Sequence, residues 1–593
     1  MINLKRALFA TLTCLLSFQI NAQFTRLTDL SPNDSDSANI GGYVVLNDTV
    51  IFSAFHKDYG KELWKTALDG SDAILLKDIT TGANSTSFQY LTLLDDKIVF
   101  GATDNIWVTN GTTAGTFKIH DSRVQVGFTE LNGYLYFDGD GNDFWRTDGT
   151  DNGTDTVFNF DNGWHSAYTP FKFGSQLLLT GYTDEFGMEP YVSQGTTETT
   201  ILLKNFSPTV PQSNSSKAVG IQEFNFGLFF HVRYVDIDGF RPKETYFTNG
   251  TEEGTVKIFD FQVDPSRAAV LNNYTYFFYD GQIYRSNGTQ EGTSTVVTLL
   301  YPLSSFPATA VEDQIYFSLK NPETGIELWV TDGTESGTKM VVDLIEGESS
   351  SNPKLPLVID NMLFFVAGDS TSGENIWYTD GSATNTVQYS TQFQSIKSLK
   401  LIDNKLLFIA TDDTGEELWL GDYSNLDLTR PEVTIHNFTG EFASDSIISI
   451  TITSNEGLSG LELEDFKIAN GIVDNLQGEG RSFSIDIIPA YDSLVYLELP
   501  ANTATDEPGN GNQKASIQFK FDAKDPAATL VCTQGDSTRL PLLNFELTFD
   551  EQVDDLDSTK LVFDNGSLKS FTQNGNKYTF EVDQLIDTVM SRY

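Results

Sequence analysis

The sequence predicts an all-β protein: a large β-propeller of eight or nine four-stranded blades, followed by β-sandwiches. Three observations carry this. An aromatic slot returns about every 44 residues between Trp64 and Trp419. Each interval holds four strand-like pieces separated by Asn-Gly or Asp-Gly turns. After Asn425 the pattern changes, and two stretches align at a constant offset of 95 residues.

The chain has 593 residues, which at about 150 residues per domain suggests roughly four domains. Lys plus Arg number 37 against 82 Asp plus Glu, a net charge of −45. That balance argues against nucleic acid as a partner, since phosphate binding needs clustered cations, and against docking on anionic membranes. With 39% hydrophobic residues, 44 Phe and 23 Tyr, the chain has the material for real cores. Five His and two Cys leave little for zinc or thiol chemistry.

Residues 1–22 read as a signal peptide. Lys5-Arg6 precede an apolar run through Leu15-Leu16, and a small residue, Ala22, precedes Gln23. The run is too short to span a bilayer stably. Cys14 lies inside it rather than at its end, so it is not read as a lipid anchor. Cys532 is then the mature chain's one cysteine, and no internal disulfide is expected.

The second region, 23–425, is built from copies of one unit. Glu62-Leu63-Trp64 returns as Glu327-Leu328-Trp329 and Glu417-Leu418-Trp419; Trp107, Trp145 and Trp377 mark weaker copies, and Tyr191, Tyr246 and Tyr284 take the slot in three more. Each unit offers a loosely apolar run, a run richer in β-formers (Gln314-Ile315-Tyr316-Phe317-Ser318), the aromatic strand, and a fourth such as Lys339-Met340-Val341-Val342. Four short strands at this period are the mark of a propeller blade. The last copy stops near Asp422 without a fourth strand, and Thr25-Arg26-Leu27-Thr28-Asp29-Leu30 matches the fourth strand elsewhere. The N-terminal strand is therefore expected to complete the final blade and remove two exposed edges. This counts nine blades, with eight plus one degenerate unit as the alternative.

At these residues the chain resembles a repeat family of secreted Gram-negative proteins, Glu-Leu-Trp-x-x-Asp-Gly-Thr-x-x-Gly-Thr. Glu327 to Thr338 and Trp145 to Thr154 match best, while Asn110, Asn249 and Asn287 replace the Asp. The resemblance implies a scaffold in surface and exported proteins, and no particular activity.

A residue present in every unit reads as structural, because a site needs asymmetry. Burying about 200 Å² of aromatic surface is worth roughly 5 kcal/mol before entropy losses, so packing between blades explains the aromatic slot. The slot two before it is always polar, from Glu62 to Glu417, and amides (Asn105, Gln282 and Asn375) replace the acid in three units. It reads as an acceptor for backbone N–H groups rather than as paired catalytic carboxylates. The exceptions point to a site. Trp164, the one Trp outside the slot, has His165 and Tyr168 beside it. The spacing of 55 between Tyr191 and Tyr246 inserts a basic stretch with Arg233 and Arg241. Insertions within blades become loops on one face. Trp164, His165, Tyr168, Arg233 and Arg241 are therefore the candidate binding residues, for a carbohydrate or an acidic group; a blade-capping Trp and paired cations are the structural alternative.

In 426–522, Arg430-Pro431-Glu432-Val433 opens a new all-β segment, and 523–593 repeats it: Asn470-Gly471 matches Asn565-Gly566, Phe483 matches Tyr578, and Ile485 matches Phe580. Units of this size with short alternating strands read as β-sandwiches. Glu464-Asp465-Phe466 and the stretch from Ala501 to Asn510 resemble bacterial immunoglobulin-like domains. The second copy is expected to be incomplete, lacking about 24 residues of the first. Asp506, Asn510 and Asn512 are oxygen ligands in a glycine-containing loop, where calcium is the candidate cofactor and a plain turn the alternative.

The function expected is a secreted or cell-surface binding or adhesion protein of a Gram-negative bacterium, the propeller presenting loops to an extracellular glycan or protein ligand and the sandwiches acting as spacers. No transmembrane segment is expected. A propeller glycan hydrolase is one alternative: its sialidase-like box would run Ser-x-Asp-x-Gly-x-x-Trp, but here Trp precedes Asp-Gly-Thr. No Gly-x-Ser-x-Gly elbow, His-Glu-x-x-His or phosphate loop is present, and the chain is not expected to be an enzyme. A structural envelope protein without a ligand is the other alternative.

Overall fold

The computed structural model describes residues 23–584 except 31–37, 161–169, 207–215, 226, 234–242, 370, 372, 391–392, 437–441, 444–446, 491–492, 523, 536–539 and 554–555. The signal stretch 1–22 lies outside the described residues. The chain divides into two compact units, residues up to Arg430 with Pro508–Gly511, and Pro431–Glu507 with the remainder. Among the described residues the helical segments are four short 3-10 turns, and no helix is long and apolar enough to cross a membrane.

Among the described residues the first unit holds nine four-stranded antiparallel sheets, so the eight-blade alternative does not hold. Blade 1 runs Tyr43–Leu46, Thr49–His56, Gly60–Ala67 and Ile74–Lys77. Blade 9 takes Ser395–Ile402, Lys405–Asp412 and Gly415–Asp422 from one end of the repeat and Gln23–Arg26 from the other. Gln23 pairs with Asp422 and Arg26 with Trp419, which is the expected closure.

Strand composition follows burial. A blade is sandwiched between two others, so its second strand is covered on both faces and reads as a continuous run of β-formers: Val50, Ile51, Phe52, Ser53 and Ala54 are all buried. The outer fourth strand meets solvent, and Ile74 there is 53% exposed. Tight turns join first to second strands. At Asn132-Gly133 both residues have positive φ, 54° and 80°, the conformation that two-residue hairpins favour and that this dipeptide tolerates.

Nine apolar cores lie between neighbouring blades. The one joining blade 9 to blade 1 contains Leu407, Ile409 and Leu418 with Tyr43, Phe52 and Trp64, and Tyr43 donates to the Leu407 carbonyl at 3.1 Å. The ring is closed. The aromatic slot belongs to these cores. Nε1 of Trp64, Trp107, Trp329 and Trp419 is buried without an acceptor among the described residues, so there the indole acts through area rather than through its N–H.

The recurring acid is the expected acceptor. Glu62 accepts from Ile79 N at 2.8 Å, Thr80 N at 3.2 Å and Thr86 Oγ1 at 2.6 Å. Glu327 does the same for Leu344 N at 3.3 Å, Ser351 N at 2.8 Å and Ser351 Oγ at 2.5 Å. Glu189 holds Phe206 N and Ser216 Oγ, each at 3.0 Å. This carboxylate ties the chain leaving one blade to the third strand of that blade.

The Asp-Gly-Thr-x-x-Gly-Thr phrase is one hydrogen-bonded turn. Asp332 Oδ1 accepts from Thr334 N at 2.9 Å and Thr334 Oγ1 at 2.6 Å; Thr334 Oγ1 in turn accepts from Gly337 N at 3.0 Å. Thr338 Oγ1 donates to the Thr334 carbonyl at 2.6 Å. Asn287 Oδ1 makes the same pair of bonds to Thr289, at 3.1 and 2.8 Å, because this pair of bonds needs only one side-chain oxygen. A Cβ on Gly337 would overlap the Asp332 carboxylate. Gly337→Ala is expected to cost about 1–3 kcal/mol, as overpacked sites do, and Asp332→Asn to stay within about 0.5 kcal/mol, as tolerated surface changes do. Urea unfolding of the two variants separates these outcomes.

In the second unit, Val433–His436, Ile448–Leu458 and Gly471–Pro489 form one sheet, and Phe442–Ala443, Ala515–Phe521, Ser493–Leu499 and Lys467–Ala469 the other. One core with Ile450, Ile452, Ile485, Val495, Leu497 and Phe519 fills the space between them. A further four-stranded sheet follows from Ala528–Cys532 to Lys577–Gln584. The offset of 95 reappears as register: Ile450 pairs with Ile485, and Phe545 with Phe580.

Candidate functional site

Blade 5 carries the long insertion. Its strands are Lys217–Phe224, Gly227–Arg233, Lys243–Thr248 and Val256–Phe259. Phe224 faces Gly227 across a tight turn, and a one-residue shift between Gly220 and Gln222 brings Lys217 opposite Arg233. Arg233 is in turn opposite Lys243. Residues directly opposite one another in antiparallel strands share a face. The result is a cationic row, Lys217–Arg233–Lys243, at one end of blade 5.

Like charges placed directly opposite repel, and no carboxylate lies within ion-pair distance of Arg233 or Lys243 among the described residues. Partial burial and then the charge of Arg233 lower the Lys217 pKa. His231, two residues before Arg233, is 7% exposed. Burial pushes its pKa down to about 4, so it is neutral at pH 7, and Gln262 Nε2 lies 3.0 Å from its Nε2. The row thus owes its charge to Lys and Arg alone, with the neutral His231 adding none. Such an arrangement suits a planar or tetrahedral acid group, which Arg binds through its fork and Lys as a point charge.

Of the residues singled out in the sequence, Arg233 stands in this row. Trp164, His165, Tyr168 and Arg241 lie outside the described residues. Lys217 was missed, because it precedes the insertion; counting outward from the Phe224–Gly227 turn was the signal that could have found it.

The loop with Asp506, Asn510 and Asn512 is braced from within. All three residues are buried. Asn512 Oδ1 accepts from Thr503 N at 2.9 Å, Thr503 Oγ1 at 3.1 Å and Ala504 N at 2.8 Å, while its Nδ2 donates to the Pro500 and Gln513 carbonyls. Three donors on one oxygen leave Asn512 no lone pair for calcium. Asn510 falls within the first unit, where its Oδ1 accepts from Asn385 at 3.2 Å and its Nδ2 donates to the Asp427 carbonyl at 3.1 Å. Asn512 therefore plays the plain-turn role.

Residues 427–523 match the family described as bacterial Ig-like domain. No curated protein matches the chain in sequence. Among solved structures, the chain is similar to BamB from Moraxella catarrhalis, with 12% identity over 68% of this chain and 98% of that one and a TM-score of 0.31. It is similar to the β-propeller domain of the trilobed protease from Pyrococcus furiosus, with 12% identity over 66% and 98% and a TM-score of 0.29. A puromycin-hydrolyzing peptidase from Mycobacterium tuberculosis gives 11% identity over 60% and 61%, with a TM-score of 0.29.

Proposed function

We propose that this chain is a secreted or cell-surface binding protein of a Gram-negative bacterium, in which the nine-bladed ring recognises an extracellular ligand bearing acid groups and the Ig-like units act as spacers. The observation that carries the reading is the Lys217–Arg233–Lys243 row: three cations opposed on neighbouring strands, in a chain of net charge −45. Two further facts support it. The recurring acids Glu62, Glu189 and Glu327 are occupied in bracing the blades. The repeat itself resembles that of a scaffold family of exported proteins.

Glycan and matrix-protein arrays probed with the full chain test this. Saturable binding that weakens as salt is raised, and that falls about tenfold or more in Arg233→Ala/Lys243→Ala, is expected; loss of one close charge pair in a complex typically costs this much. Binding indifferent to both salt and the double substitution, in a variant with unchanged thermal unfolding, would remove blade 5 from the account.

A further inference from the structure

The ring holds a second cationic place, far from blade 5. Blade 1 begins with a first strand shorter than those of its two neighbours: Tyr43–Leu46 has 4 residues, against 7 in Phe88–Leu94 of blade 2 and 8 in Ser395–Ile402 of blade 9. Gly41 and Gly42 stand where that strand would continue. Gly41 N donates to the Ser53 carbonyl at 2.8 Å and Ser53 N to the Gly42 carbonyl at 3.2 Å, so the backbone still follows the second strand while no side chain fills the space. A Cβ on Gly41 would overlap Ser53 Oγ and stand 3.0 Å from Lys61 Nζ. What remains is a cavity of about 480 Å³ lined by blades 9, 1 and 2, within the size range of small-molecule sites.

Three ammonium groups line it: Lys61, Lys397 and Lys400. Lys397 pairs with Glu416, whose other oxygen accepts from Ile40 N at 2.9 Å. Lys400 Nζ sits 4.5 Å above the Tyr43 ring and 3.4 Å from the Tyr43 carbonyl, and burial lowers its pKa. Lys61 Nζ has no acceptor among the described residues. Three cations against one carboxylate leave the cavity positive in an acidic protein. Its rim carries Tyr90, 44% exposed, at a bulge between Gln89 and Thr92. Its φ of 52° is one that non-glycine residues avoid and comes with the bulge.

We infer that this cavity binds the acid-bearing unit of an anionic glycan, with Lys61 and Lys400 holding the acid group and the Tyr90 ring meeting the apolar face of the sugar. This rests on the reading of the ring as a recognition scaffold. A flat aromatic ring beside ammonium groups suits a hydroxylated ring carrying one acid. The remaining ammonium N–H groups serve its hydroxyls.

Calorimetry on the full chain tests it, with oligomers of galacturonic, glucuronic and mannuronic acid, their neutral counterparts, and oligoglutamate as probes. At least one uronide is expected to bind, more tightly than its neutral counterpart and than oligoglutamate. Lys61→Gln and Tyr90→Asn are each expected to weaken it about tenfold or more. Asn tolerates the left-handed backbone, so this second variant removes the ring without the turn, and unchanged thermal unfolding certifies both. Binding of no uronide, equal binding of neutral sugars, or preference for oligoglutamate overturns the inference. If uronide binding survives Lys61→Gln and Tyr90→Asn but fails in Arg233→Ala/Lys243→Ala, the cavity is wrong and the recognition reading stands. If neither these probes nor the arrays find a ligand, both fall.

Discussion

A chain lacking Gln23–Leu30 is expected to lose cooperative unfolding of the ring and to self-associate. The removed segment supplies the fourth strand of blade 9. It also supplies Phe24, packed edge-on against Tyr389 at 5.3 Å and Phe408 at 6.0 Å, and the buried Leu27 and Leu30. Three apolar side chains at about 1.5–3 kcal/mol each amount to roughly 5–9 kcal/mol. Glu417 is the larger problem. Its carboxylate is 2% exposed and is served by Thr28 Oγ1 at 2.5 Å and Arg26 at 3.2 Å. Stripping the partners from a buried charge costs about 3–5 kcal/mol more. The total rivals the whole stability of a domain, about 5–15 kcal/mol, and the freed edge of Gly415–Asp422 is a template for pairing between chains. Light scattering and thermal unfolding measure the effect. A monomer melting within a few degrees of the parent would contradict it.

Glu327→Ala is expected to destabilise the ring by about 3–5 kcal/mol, since it strands three donors, two of them backbone N–H groups, each worth roughly 1–3 kcal/mol when left unmade. Glu327→Gln keeps an acceptor and should cost much less. Its effect also depends on pH. Burial raises the Glu327 pKa to about 7, outweighing the Ser351 bonds that lower it. The group keeps its proton in the folded chain between about pH 4.5 and 7 while the unfolded chain has lost it. Its contribution is thus fully present below the unfolded value and is lost as pH rises through the folded one, by about 1.4 kcal/mol per pH unit. Gln does not titrate. The stability of Glu327→Gln relative to the parent should therefore improve on going from pH 5 to pH 8, on the order of 3 kcal/mol at most. Urea unfolding of both proteins at the two pH values gives the difference. A pH-independent gap would mean that Glu327 titrates normally.

The blades were legible because their demands are local. A turn that needs one side-chain oxygen accepts Asp332 or Asn287 equally, and a slot that needs aromatic area accepts Trp329 or Tyr284, so the repeat shows through substitution. Closure was legible because Thr25 to Leu30 matches a fourth strand that the final unit lacks. Counting units left eight or nine open, because the copies at Trp64, Tyr191, Trp377 and Trp419 depart furthest from the repeat phrase; each sits in a four-stranded sheet. The sites were less legible. Arg233 stood out through the insertion beside it, but Lys217 joins it only through a bulged register. Lys61 and Lys400 are separated by most of the ring and meet because its two ends meet. No window of sequence contains that proximity.

The pairing of Gln23 with Asp422 also sets an order of events. During synthesis the first-made strand has no partner until nearly the last of the ring has appeared, so it must wait while eight sheets grow between. Contacts this distant in sequence are slow to form, because the intervening chain must first be gathered. The final sheet is therefore expected to shut late, with the strand Gln23–Arg26 as its latch.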